Sequence, residues 1–163
     1  MPATWSDWRD LKVKSACEKP GVYKVRLVNA KGPLTIARFL GADSEGIVAI
    51  GKASCLEKRR KKFPQAIRSG RGHSELNLLH ILGKHSPLAT VCPSASYEYA
   101  FKPLPSVEEA GAEESRLLKH YVCRFGEVPP LNSAIPGGRY GPDAWSSVAS
   151  SETSGAQRSR PSD

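Results

Sequence analysis

The sequence predicts an α+β domain, a small antiparallel β-sheet flanked by α-helices. Three short stretches of strand character, at 22–28, 34–40 and 47–50, are separated only by turns built from Asn, Gly, Asp and Ser. Such connections are too short for parallel crossovers, so the strands must run antiparallel. A helix-periodic stretch at 106–125 and a Lys/Arg-rich helix starting near Ser54 supply the flanking layers. At 163 residues the chain is long enough to bury one core. It divides into an extension that packs on the core (1–19), a domain (20–135), and a Pro/Gly/Ser-rich tail (136–163) too poor in apolar residues to order itself.

In order along the chain, Trp5, Trp8, Leu11 and Val13 suggest a short helix over 5–16 that lays its aromatics on the core. Pro20-Gly21 then breaks the chain. Residues 22–28 alternate apolar and polar positions with β-branched enrichment, the pattern of a half-buried strand. The turn at 29–32 leads to a returning strand at 34–40. The turn at 41–46 leads to 47–50, all apolar and suited to burial on both faces. Ser54 can cap the next helix, where Leu56, Phe63 and Ile67 share a face, and Pro64 is expected to kink or break it near Phe63. A loop at 69–72, a helix at 74–82 capped by Ser74, and a last strand at 97–101 follow. Ser106 and Glu109 form a capping box that opens the final helix.

The formal charge of +8 is unevenly placed. Residues 1–100 carry 17 Lys+Arg against 8 Asp+Glu, a net of +9, and residues 101–163 carry 7 against 8, a net of −1. Lys58, Arg59, Arg60, Lys61, Lys62, Arg68 and Arg71 face a single acid, Glu57. That asymmetry points to a polyanionic partner, with nucleic acid the commonest. The four cysteines are far apart with no Cys-x-x-Cys pair, which fits thiols in a reducing, cytoplasmic compartment. No stretch approaches the 18 apolar residues of a membrane span. Oligomeric state is left open.

One residue in the last helix breaks its pattern. At about 100° per residue, Val107, Ala110, Leu117, Leu118, Tyr121 and Phe125 form one stripe, and Glu114 lies at its centre. A carboxylate turned toward a core costs several kcal/mol unless paired, hydrogen-bonded or bound to metal. A rim Glu that bends out to water or pairs with an arginine is the competing reading.

Gly21-Val22-Tyr23 opens the first strand, and Ala49-Ile50-Gly51-Lys52-Ala53-Ser54-Cys55-Leu56-Glu57-Lys58-Arg59 closes the third and starts the basic helix. Downstream stand Glu114-x-x-Leu117-Leu118-x-x-Tyr121 and Phe125-Gly126-Glu127-Val128-Pro129-Pro130-Leu131-Asn132. In this order the motifs resemble the GIY-YIG nuclease family. The Gly-Lys-Ala-x-x-Leu-x-x-Arg register is similar to the nuclease domain of the bacterial excision-repair incision enzyme. The resemblance covers about residues 20–135 and implies metal-dependent endonucleolytic hydrolysis of a phosphodiester, DNA more than RNA. It implies that Glu114 holds Mg²⁺ or Mn²⁺ and that Arg59 is the transition-state cation. Tyr23 and Lys52 would organise or deprotonate the attacking water, and Asn132 would brace the site. Lys58, Arg60, Lys61, Lys62, Arg68 and Arg71 would grip phosphates. His73 corresponds to a histidine some members use.

Competing readings stand beside these. Helix phase alone picks Arg60, not Arg59, as the inward cation. Tyr23 fits strand packing, Lys52 a plain surface lysine, and His73 a structural helix-boundary residue. The family's second motif has tyrosine where this chain has Ala49, and many members have His or Tyr where this chain has Phe63. A non-catalytic nucleic-acid-binding protein of the same fold is therefore the alternative, and a basic RNA-associated protein a third reading.

Overall fold

The computed structural model describes residues 4–14, 17–69 and 96–134, apart from the side chains of Ile67 and Arg68. The expected helix at 74–82 and the tail at 136–163 lie outside the described residues. In chain order the elements are β1 (Arg9–Asp10), β2 (Gly21–Asn29), β3 (Gly32–Pro33), β4 (Ile36–Arg38), β5 (Gly41–Asp43), β6 (Ile47–Ala53), α1 (Leu56–Ser69), β7 (Ser96–Pro103) and α2 (Val107–Phe125). The result is an α+β architecture, an antiparallel sheet with a helix on each face.

The β-branched run of β2 makes it the central strand. It pairs antiparallel with β6 on one side and β7 on the other, and β3 takes over from β6 beside its far end. β1 extends the sheet beyond β7. Paired residues share a face of the sheet. Tyr23/Gly51/Phe101 and Val25/Ala49/Tyr99 therefore lie on one side, where Leu56, Phe63 and Ala66 of α1 complete the larger core. Lys24/Ile50/Ala100 lie on the other side, where Ile47 and Ile50 meet Leu118, Tyr121 and Phe125 of α2.

Helix α2 is capped as the sequence suggests. Ser106 is extended (φ −140°), its Oγ accepts from Glu109 N at 3.1 Å, and Gly126 (φ +76°) closes the helix by donating to Val122 O at 2.7 Å. The start of α1 is satisfied differently from the expected Ser54 cap. Leu56 N and Glu57 N donate to the carbonyls of Lys19 and Cys17 at 3.0 and 2.8 Å, which ties the helix to the extension.

Four expectations are corrected. Residues 5–14 are not helical: β1 joins β7, and the tryptophans stack on cations, Trp5 beneath Lys24 Nζ at 5.0 Å and Trp8 beneath Arg26 at 4.2 Å. Residues 34–40 do not form a long strand of the main sheet. Pairing with β2 ends at β3, and β4 and β5 make a separate two-stranded ribbon, because Arg38 and Asp43 are drawn to the far end of α2. The third strand runs past Ile50 to Ala53. Pro64 does not end α1, which continues to Ser69 while Phe63 and Ala66 hold both sides of the proline in the core. A proline inside a helix costs about 3 kcal/mol, which this packing offsets.

Candidate functional site

Three consecutive residues of β6, Ile50, Gly51 and Lys52, gather the polar side chains singled out in the sequence. β6 is an edge strand over this stretch, so at alternate residues its backbone groups point away from β2. Each is met. Leu131 N donates to Val48 O at 2.9 Å. Asn132 clasps Ile50 from both ends, its Oδ1 accepting from Ile50 N at 3.0 Å and its Nδ2 donating to Ile50 O at 2.8 Å. Glu114 Oε1 accepts from Lys52 N at 3.0 Å. The inward turn of Glu114 thus ends on the sheet edge, and the residue is 8% exposed. Its other oxygen lies 3.9 Å from Lys52 Nζ.

Lys52 reaches Glu114 across the start of α2, where Gly111 leaves room for it. A Cβ at 111 would stand 3.0 Å from Lys52 Nζ. Glu113, the neighbour of Glu114, points to the other side. It accepts from Lys102 Nζ at 3.1 Å and from Arg116 Nε and Nη2 at 2.7 and 2.9 Å. The Arg116 hydrogen bond, with help from Lys102, holds its carboxyl down at about 2.

On the opposite face of the same strand, Gly51 lies under the Tyr23 ring, and a Cβ there would collide with the Tyr23 hydroxyl. That hydroxyl accepts from Arg59 Nε at 2.8 Å. Arg59 rests over the Tyr23 ring at 5.3 Å and the Phe63 ring at 6.0 Å, and Tyr99 stacks on Tyr23 from behind at 5.6 Å. Burial pushes the Tyr99 phenol well above its ordinary value of 10. Arg59 is therefore the arginine held beside Tyr23.

Arg60 is the inward cation that helix phase selects, and its assignment as a phosphate-gripping residue is corrected. It is 6% exposed and forks onto Glu57, itself 3% exposed, with Nε–Oε2 and Nη2–Oε1 distances of 3.0 Å. Its Nη1 donates to the Leu11 carbonyl. Two opposite charges buried side by side satisfy each other, leaving nothing for a polyanion. Lys58, Lys61 and Lys62 do form an exposed row on α1. Arg71, His73 and the Arg68 side chain lie outside the described residues.

Ala49 is fully buried opposite Val25 in the α1-side core. Sequence reasoning treated Phe63 as a missing polar group and passed over Tyr99. Together they form the aromatic shelf that supports the Tyr23–Arg59 pair. The four-residue spacing from Arg59 to Phe63, one helical turn, was the available signal. Gly111 had none, since its role depends on a lysine 59 positions away in sequence. Comparison with known protein families, curated proteins and solved structures finds no match.

Proposed function

We propose that this domain is a GIY-YIG-like, metal-dependent endonuclease that hydrolyses phosphodiester bonds in DNA. One observation carries the reading: five residues far apart in sequence meet residues 50–52 of a single edge strand, Lys52, Glu114 and Asn132 at its α2 side and outer edge, Tyr23 and Arg59 on its α1 face. A single edge carboxylate beside a lysine fits Mg²⁺ or Mn²⁺, which bind through one or two carboxylates plus waters and substrate phosphate oxygens. Glu114 would hold the ion, which supplies Lewis-acid polarisation of the phosphoryl group.

The remaining chemistry belongs to the chain's own side chains. Arg59, oriented through Nε by Tyr23, is pre-aimed to neutralise charge that builds on the phosphoryl oxygens. As the phenolate, Tyr23 would take the proton of the attacking water and become the neutral phenol, its oxygen staying beside the same guanidinium. Lys52 offers a second positive charge to the substrate. Asn132 fixes the height of the strand on which these groups converge. The lysines of α1 contact phosphates without reading sequence.

The test is nicking of supercoiled plasmid with Mg²⁺ or Mn²⁺ by the wild type and by Glu114→Gln. Glutamine still accepts the Lys52 N–H through its carbonyl oxygen, so the variant keeps its melting temperature. Nicking that requires metal and disappears in Glu114→Gln supports the enzyme.

A second reading, a non-catalytic DNA-binding protein of the same fold, rests on two observations. Glu114 and Asn132 also seal a strand edge, a task unrelated to chemistry, and the buried Ala49 replaces the family's second tyrosine. It predicts salt-sensitive DNA binding with no nicking under any metal.

A further inference from the structure

The ribbon β4–β5 ends in a two-residue turn, Phe39-Leu40, that stands out from the molecule, with Phe39 80% exposed and Leu40 53% exposed. The turn is held firmly. Leu40 N donates to Phe125 O at 3.0 Å, and Phe39 N donates to Glu127 Oε1 at 2.9 Å. Arg38, largely buried, pairs with Glu127 at 3.2 Å and donates to Val128 O. At the ribbon's base Asp43, 2% exposed, accepts from Tyr121 Oη at 2.8 Å and from Ile47 N at 3.0 Å. Phe39 and Leu40 rest one side on Gly126, where a Cβ would stand 2.9 Å from Phe39 Cδ1. A set of hydrogen bonds and one half-exposed ion pair thus holds an aromatic ring against the helix end with its other side in water.

The outer side of α2 leading to this tip carries cations, flanked by Glu113, which binds Arg116, and by Glu127 beside the turn. On α2, Arg116 lies three and four residues before Lys119 and His120, and these lie four before Cys123 and Arg124, so the five form one stripe along the outer side. No acid occurs between Ser115 and Gly126. The stripe runs from the turn bearing Glu114 to the turn bearing Phe125. That distance is roughly 16 Å at 1.5 Å per residue, or about five base-pair steps.

We infer that the Phe39-Leu40 tip is a stacking contact for DNA bearing an unpaired or unstacked base, with the α2 stripe holding the adjoining backbone. The inference rests on the nuclease reading for its choice of DNA. The chemistry that selects this partner is the pairing of a rigid exposed aromatic with neighbouring cations. Bases stack on aromatic faces, and phosphates meet arginine and lysine. Apolar side chains inserted between base steps act where stacking is already weak. The tip therefore favours distorted over perfect duplex and narrows the substrate to structurally irregular DNA.

The experiment compares a duplex carrying one bulged 2-aminopurine with the same duplex fully paired, in EDTA so that cleavage plays no part. The wild type should bind the bulged duplex about tenfold tighter and change its 2-aminopurine emission. Phe39→Ser should lose both the preference and the emission change while keeping its melting temperature and its paired-duplex affinity. Arg124→Ala should weaken both duplexes alike. Equal binding of the two duplexes by the wild type overturns the inference and leaves the nuclease reading standing. So does a Phe39→Ser variant that discriminates as before, or one whose only change is dissociation of a self-associated form in sedimentation. Loss of metal-dependent nicking in the plasmid assay, with the bulge preference intact, overturns the nuclease reading alone.

Discussion

Two adjacent arginines on α1 have opposite fates, and the difference sets what each substitution does. Arg60 neutralises Glu57 inside the protein and holds the Leu11 carbonyl. Arg60→Ala removes the guanidinium from a carboxylate 3% exposed, which Lys61 Nζ, 3.8 Å away, compensates in part. Breaking a buried pair from one side typically costs about 3–5 kcal/mol, so denaturant titration should show a loss of that order. Arg59 touches the Tyr23 hydroxyl and aromatic faces at the rim of the core. Arg59→Ala should cost little stability and, on the nuclease reading, lower the nicking rate about 10²–10³-fold, the effect of removing one transition-state donor. Single alanine replacements at Lys58 or Lys62, both exposed, should leave stability within about 0.5 kcal/mol. Asn132→Asp removes the donor to Ile50 O while keeping an acceptor for Ile50 N. Its melting temperature should fall by an amount matching about 1–2 kcal/mol.

Among the elements, α2 was legible from end to end because its stripe, its Ser106 cap and its Gly126 stop all agree. Glu114 could be recognised as inward-facing from phase alone, since twenty residues of clean periodicity average out local error. The central strand was legible for the same reason. The ribbon β4–β5 was not, because Ile36 and Arg38 alternate like a sheet strand, and only the distant Tyr121 and Val128 reveal where they dock. The N-terminal segment is ambiguous in sequence because tryptophans three apart suit a helix as well as they suit cation stacking. At Pro64 local propensity yields to the burial of Phe63 and Ala66. Within the candidate site, helix phase singles out Glu114 and motif order Arg59 and Asn132, whereas the Phe63–Tyr99 shelf needs the packing itself. Pro64→Ala should therefore stabilise α1 by up to about 3 kcal/mol, read in a thermal melt. Gly126→Ala should destabilise by about 1–2 kcal/mol, since φ is +76° there and Phe39 already fills the space.

For the molecule as a whole, pH should act at both ends of the scale. Glu113 has its carboxyl depressed to about 2 by Arg116 and Lys102. Its contribution is complete above the ordinary carboxylate value near 4.5 and is lost as pH falls from there toward 2. Because Arg116 is largely exposed, that acid limb should be shallow and salt-sensitive. Tyr99 and Tyr121 shift the other way, raised by burial and, for Tyr121, by its hydrogen bond to Asp43. Their contribution is complete below pH 10 and declines above it, so urea midpoints should fall steeply in that alkaline range. The closure of β6 has a further consequence, for the order in which the chain matures. Among the described residues, its outward groups at Val48, Ile50 and Lys52 are met by residues 131, 132 and 114, synthesised more than 60 positions later. Until the last of these has left the ribosome, the nascent domain presents an open strand edge to its neighbours. Chains stalled or cut before Leu131 should form intermolecular β-structure at concentrations where the complete chain remains dispersed, a difference light scattering can follow during refolding.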